Sequence, residues 1–370
     1  MNPHDVRNCL TRRAFLGRSS LGLGSAALAS LADIVPRCET ANSNPGGGAV
    51  EPLHFTPKIR RVIFLCMAGG PSQFETFDYK PKLKELDGQP MPDSFTRGQP
   101  IAQLQGKPLK ILRPLTQFKR HGQSGQLISD YLPHTARIAD RIAIIRSMHT
   151  TQINHDPAHT VMNTGTAISG RPSMGSWITY GLGSETSDLP GFIVLTSSKG
   201  RNPQPIAARQ WHSGFLPSRF QGVEFQSAGD PVHYLSNPPG VTPTRQRDVI
   251  DTIATLNQLR DSQVRNPEIA TRIAQYEMAF RMQTSVPELM DFSNEPQHVL
   301  DMYGTQGADG SFAANCLLAR RLAERGVRFI HLYHRGWDHH GDLQKWMGVC
   351  CGATDQPTAA LVMDLEQRGL

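Results

Sequence analysis

Apolar residues follow two rhythms along this chain. Short unbroken runs occupy 61–68, 141–148, 191–196 and 327–333, and each gives way to polar or glycine residues. Runs of this length without alternation predict strands buried on both faces, as in a parallel sheet. Elsewhere the spacing is helical. Val249, Ile250, Ile253, Leu256 and Leu259 form one stripe; Ile269, Ile273, Tyr276 and Phe280 form another after Asn266-Pro267. Ser311 predicts a helix N-cap and Gly326 the C′ position of that helix. Asp355-Gln356-Pro357 predicts the opening of a last helix, with Leu361 and Leu365 inward and Gly369 at its end. Strands alternating with helices predict an α/β fold with a mainly parallel sheet flanked by helices. Residues 33–57 read as a flexible linker, and 200–245, rich in Pro, Gly, Ser and Gln, as an irregular insertion within a domain spanning 58–370.

Composition agrees with a folded core. Apolar residues make up 38% of the 370, and the 33 glycines and 27 prolines fall short of a low-complexity chain. The net charge of +6 suggests an acidic partner until the charges are located. Arg7, Arg12, Arg13 and Arg18 against Asp5 place half of it in residues 1–32. No basic block interleaved with aromatics occurs, so a nucleic-acid partner is not expected. No apolar stretch is long enough to span a bilayer, and no transmembrane segment is expected after signal removal.

Thr11-Arg12-Arg13-Ala14-Phe15-Leu16-Gly17 opens a mildly apolar run that ends near Leu31. Paired arginines before such a run read as a twin-arginine signal over 1–32, which implies the twin-arginine translocase as a partner and export to the periplasm or cell surface. The six cysteines, Cys9, Cys38, Cys66, Cys316, Cys350 and Cys351, form no Cys-x-x-Cys zinc pattern. Removal of Cys9 with the signal leaves an odd number, so no disulfide framework is expected. Cys66 and Cys316 read as small core residues.

In sheets of this kind ligands sit beyond the carboxyl ends of the strands. Three polar segments occupy those places. His334-Arg335-Gly336-Trp337-Asp338-His339-His340-Gly341-Asp342 follows the 327–333 run. Asp338 and His340 lie two apart, so in extended backbone both face one ion, and a carboxylate with an imidazole suits zinc or manganese. Gly69-Gly70-Pro71-Ser72-Gln73-Phe74-Glu75-Thr76-Phe77-Asp78 follows the first run. Its glycines let backbone amides approach an anion, Ser72 offers a hydroxyl, and Glu75 and Asp78 offer carboxylates. Asn154-His155-Asp156-Pro157-Ala158-His159 reads as a helix start with Asp156 as N-cap, a natural anion site; His155 could be base, nucleophile or ligand there.

Together with Thr11-Arg12-Arg13, these segments and Gly170-Arg171-Pro172-Ser173-Met174-Gly175-Ser176-Trp177 resemble a bacterial, planctomycete-type family, the domain-of-unknown-function 1501 family, of the alkaline phosphatase/sulfatase-like superfamily. The resemblance implies an alkaline phosphatase-like fold and hydrolysis of small phosphate or sulfate esters at a zinc, manganese or calcium site beside a nucleophile. It implies Glu75 or Asp78, with Asp338 and His340, as metal ligands. His155 and Ser72 become the catalytic candidates, and Asn154, Gly69 and Gly70 the substrate-binding ones. It also implies a further strand and further metal-site segments after the last helix. A chain ending at Leu370 is therefore expected to be a truncated domain, inactive or impaired. The alternative expectation is a non-catalytic exported binding or cell-surface module on the same fold.

Overall fold

The computed structural model describes residues 47–50, 52–98, 106–204, 206–232, 235–264 and 267–370. The 1–32 signal and most of the 33–57 linker lie outside the described residues, as do Cys9 and Cys38. Every element below belongs to the unit Gly48–Leu370.

In chain order the strands are β1 (Val62–Ala68), β2 (Phe118–His121), β3 (Gln126–Ser129), β4 (Phe192–Arg201), β5 (Val223–Phe225) and β6 (Phe329–Trp337). The helices are α1 (Pro81–Glu85), α2 (His155–Thr164), α3 (Met174–Leu182), α4 (Pro243–Val264), α5 (Pro267–Met290), α6 (Gln297–Tyr303), α7 (Phe312–Glu324) and α8 (Leu343–Arg368). β1, β6, β4 and β5 lie side by side in that order and all run parallel; β2 and β3 form a separate antiparallel hairpin. The molecule is thus an α/β fold with a four-stranded parallel sheet flanked by helices.

Period-two alternation sorts the sheet into two faces. Ile193 and Leu195 of β4 with Ile330 and Leu332 of β6 pack against α5, α6, α7 and α8. Phe192, Val194, Phe329 and Tyr333 face the other way, towards Trp211 and Ile178 of α3. Twelve of the thirteen residues of α7 are buried. Ser311 caps it by accepting from the Ala314 amide at 3.0 Å, and Gly326 turns the chain at φ +83°. Cys316 is buried in this core, and burial pushes its thiol pKa far above the ordinary range. Cys66 is partly buried against the other face and is pushed up to about 12. Neither thiol is poised to react.

Four expectations are corrected. Residues 141–148 join no ladder: a 3-10 turn over Thr135–Arg141 leads into an unpaired extended run. Gln126 donates its side-chain amide to the Ala139 and Ile142 carbonyls, doing for this run what a neighbouring strand would do. The last helix starts at Leu343 and not at Asp355, with Pro357 inside it. The Asp355 carboxylate instead accepts from the His134 and Thr135 amides at 2.7 and 2.8 Å, capping the 3-10 turn. Asn154, not Asp156, is the N-cap of α2. On α4, Ile250 is buried but Leu256 and Leu259 are exposed, so its stripe is only partly covered. The 200–245 stretch is largely irregular, yet it supplies β5.

Candidate metal centre

Because the four strands are parallel, the ends of β1, β4 and β6 emerge on one side. Two glycines allow their close approach. Gly69, at φ +125°, lies so near the next strand that a Cβ there would sit 2.6 Å from the Asp338 amide nitrogen. Gly336, at φ +108°, would place a Cβ 1.9 Å from the Lys199 carbonyl oxygen. Both positions exclude any side chain, and both fix the backbone that carries Asp338.

Beyond β6 the chain carries no regular element before α8 and bends at His340. Asp338 and His340 turn to one side and His339 to the other. The His339 ring lies 3.2 Å from the Gly336 carbonyl and 3.7 Å from Cys350 Sγ, and burial lowers its pKa. The pairing of Cys350 with this ring and with the Gly336 carbonyl is the role of that buried cysteine; Cys351 packs beside Ile128 and Met347. On the other side, His340 Nε2 lies 2.7 Å from Asp338 Oδ1. His155, the first residue of α2, brings its Nε2 to 3.4 Å from the same oxygen. The three ligand atoms lie within 4.8 Å of one another. Asp338 is largely covered, His155 partly so, and His340 is open to solvent. An open groove lined in part by Leu112, Leu115, Leu343 and Lys345 continues from His340.

The structure brings together three of the residues singled out in the sequence, His155, Asp338 and His340. It does not bring Glu75 or Asp78 to them. Glu75 is buried, and its Oε2 accepts from the Leu115 amide at 2.9 Å; burial raises its pKa against that hydrogen bond. Asp78 pairs with Lys80 at 2.9 Å. Ser72 precedes the Gln73–Glu75 turn and makes no side-chain cap bond. Gly69 is filled by the neighbouring backbone, while Gly70 has open space around its Cα. Asn154 caps α2 without a side-chain bond, leaving the first amides of that helix uncapped.

Two polar groups of this region escaped the sequence reading. Gln204 donates to Asp338 Oδ2 at 2.7 Å, and Asn202 donates to the Asp338 carbonyl at 3.4 Å. Both lie in the irregular 200–245 stretch, where nothing in the pattern separates them from neighbouring polar residues. His159, one turn beyond His155 on α2, is buried, with its ring centre 6.4 Å from that of His155. Burial, followed by the His155 charge, lowers its pKa.

A His–Asp–His group at the carboxyl ends of a parallel sheet, with a helix N-terminus on it, defines an α/β protein with a candidate cation site. A family model described as "Protein of unknown function (DUF1501)" matches residues 59–370, and the chain belongs to that family. No curated protein and no solved structure matches it.

Proposed function

We propose that the protein is an exported, metal-dependent phosphate- or sulfate-ester hydrolase-like domain on an alkaline phosphatase-like fold. His155, Asp338 and His340 hold its divalent cation, zinc, manganese or calcium. The observation that carries this reading is the convergence of two imidazole nitrogens and one carboxylate oxygen within 4.8 Å. The donor set fits the group: nitrogen and oxygen ligands of one negative charge, on a strand end and a helix start fixed by the surrounding fold. A divalent ion bound there would polarise an ester oxygen and ease deprotonation of a nucleophile.

This chain's own residues supply the rest. Asp338 Oδ1 lies 2.7 Å from His340 Nε2, so the carboxylate and the imidazole are already close enough to meet at one ion. The uncapped amides at the start of α2 favour an anion beside the cation. In this reading the backbone at Gly70 and the Asn154 side chain would bind ester oxygens, and the Ser72 hydroxyl is the candidate nucleophile once His155 serves as a ligand. The twin-arginine motif supports export through the translocase.

The purified chain, supplied with each ion in turn, is expected to hydrolyse an aryl phosphate or an aryl sulfate at an impaired rate. Asp338→Asn should lower turnover by more than about 100-fold, beyond the loss expected for an outer-shell partner. Turnover that ignores both added ion and this substitution would refute the reading. The exposure of the His340 side chain, 57%, favours a second reading, a non-catalytic exported binding or cell-surface module. Ion binding without turnover on either ester would support that module.

A further inference from the structure

We infer that Gln204 is a positioning residue that keeps Asp338 a one-oxygen ligand, selecting a zinc-like ion over calcium. The inference rests on the cation site proposed above and goes on to what sets its selectivity.

The two oxygens of Asp338 have different surroundings. Oδ1 faces His340 and His155 at 2.7 and 3.4 Å. Oδ2 accepts from Gln204 Nε2 at 2.7 Å. The orientation of that amide follows from chemistry. An ionised carboxylate only accepts hydrogen bonds, so the NH2 end must face it. The same nitrogen also donates to the Asn202 carbonyl at 3.3 Å, which uses its second hydrogen.

The segment bearing Gln204 is itself held. Arg335, on β6 three residues before Asp338, donates Nε to the Gln204 carbonyl at 2.5 Å and Nη2 to the Pro203 carbonyl at 3.3 Å. Asn202 sits at φ +51°, a left-handed conformation that asparagine tolerates, and its side chain reaches the Asp338 carbonyl. Gln204 therefore belongs to a braced bridge between the ends of β4 and β6.

With Oδ2 engaged, Asp338 presents one oxygen. Two imidazoles and one oxygen leave a fourth position open, the arrangement of a three-ligand zinc site. Calcium takes six to eight oxygen ligands and commonly uses carboxylates through both oxygens. The bond to Gln204 stands against that mode, and the two imidazoles add to the preference.

The test is calorimetric titration of the full chain with zinc and, separately, with calcium, in the wild type, Gln204→Met and Arg335→Met. Methionine keeps the length of Gln204 and removes the donor. Zinc affinity is expected to fall about 10- to 100-fold in Gln204→Met, the usual cost of losing an outer-shell partner, while calcium affinity is unchanged or higher. Arg335→Met leaves the amide but removes its brace, and should shift the zinc-to-calcium ratio in the same direction by less. Unchanged zinc affinity in Gln204→Met would overturn the inference. So would equal losses of zinc and calcium affinity with a lowered melting temperature, which would mark a purely structural role. Wild-type protein that takes up neither ion would instead overturn the cation site itself.

Discussion

Arg320→Ala is expected to lower the free energy of unfolding by roughly 3–5 kcal/mol, because it strands buried charge. The Arg320 side chain is 3% exposed on α7. Its guanidinium meets Glu295 at 2.6 Å, Glu324 at 2.8 Å and Asp364 at 3.1 Å. Glu295 also accepts from Arg321 at 2.7 Å, while Asp364 accepts from the Tyr303 hydroxyl at 3.0 Å and from Arg368 at 2.7 Å. The network ties α7 to α8 and to the segment before α6. Burial alone would raise the Glu295 pKa; the two arginines outweigh it and hold the carboxyl below its usual range. Removing Arg320 leaves the buried Glu295 and Asp364 side chains without their shared partner. An exposed pair provides the control. Arg325 faces Glu288, whose side chain is 76% exposed, so Arg325→Ala should cost less than about 1 kcal/mol. Urea unfolding of both variants checks the contrast, and equal losses would contradict it.

Acid should destabilise the fold through buried neutral histidines. His331 lies on β6 between the Phe64 and Tyr333 rings, at 4.6 and 3.9 Å, and burial lowers its pKa to about 3. His334 accepts from Trp337 Nε1 at 2.9 Å, and burial lowers its pKa to about 4. The folded pKa is below the unfolded one in both cases. The unfolded chain therefore takes up protons that the fold refuses as pH drops below about 6.5. Stability is fully present above that pH. Each histidine then removes up to about 1.4 kcal/mol per pH unit, His334 until about pH 4 and His331 until about pH 3. His331→Phe keeps a ring in the stack and removes the titration. Its unfolding free energy should fall less steeply than that of the wild type between pH 6 and 4. Identical slopes would show that His331 does not carry the effect.

Three strands of the sheet were legible because burial on both faces leaves an unbroken apolar run, as in Phe192–Leu195. The 141–148 run has the same appearance, but Ile145 and Met148 are exposed and the backbone pairs with a glutamine side chain. Composition cannot distinguish a run that fills a ladder from one that drapes over a core. Asp355-Gln356-Pro357 looked like a helix start because aspartate and proline favour the first turn. In the fold the aspartate caps a different element, and proline sits within a helix begun twelve residues before Asp355. The metal group divides in the same way. Asp338 and His340 share a local period, so their common direction could be read from spacing. His155 stands 183 residues before Asp338, and only the packing of α2 brings them together. Gln204 lies in a loop whose conformation is set by Arg335, with no local signal of its own.

The measurement that bears most directly on the cation site is the metal content of the full chain after zinc loading and exhaustive dialysis. The geometry predicts one ion per chain in the wild type and its loss in His155→Ala, Asp338→Asn and His340→Ala, each still folded by circular dichroism. A wild-type chain that retains no zinc, or the same zinc content in all three variants, would contradict the His155–Asp338–His340 site.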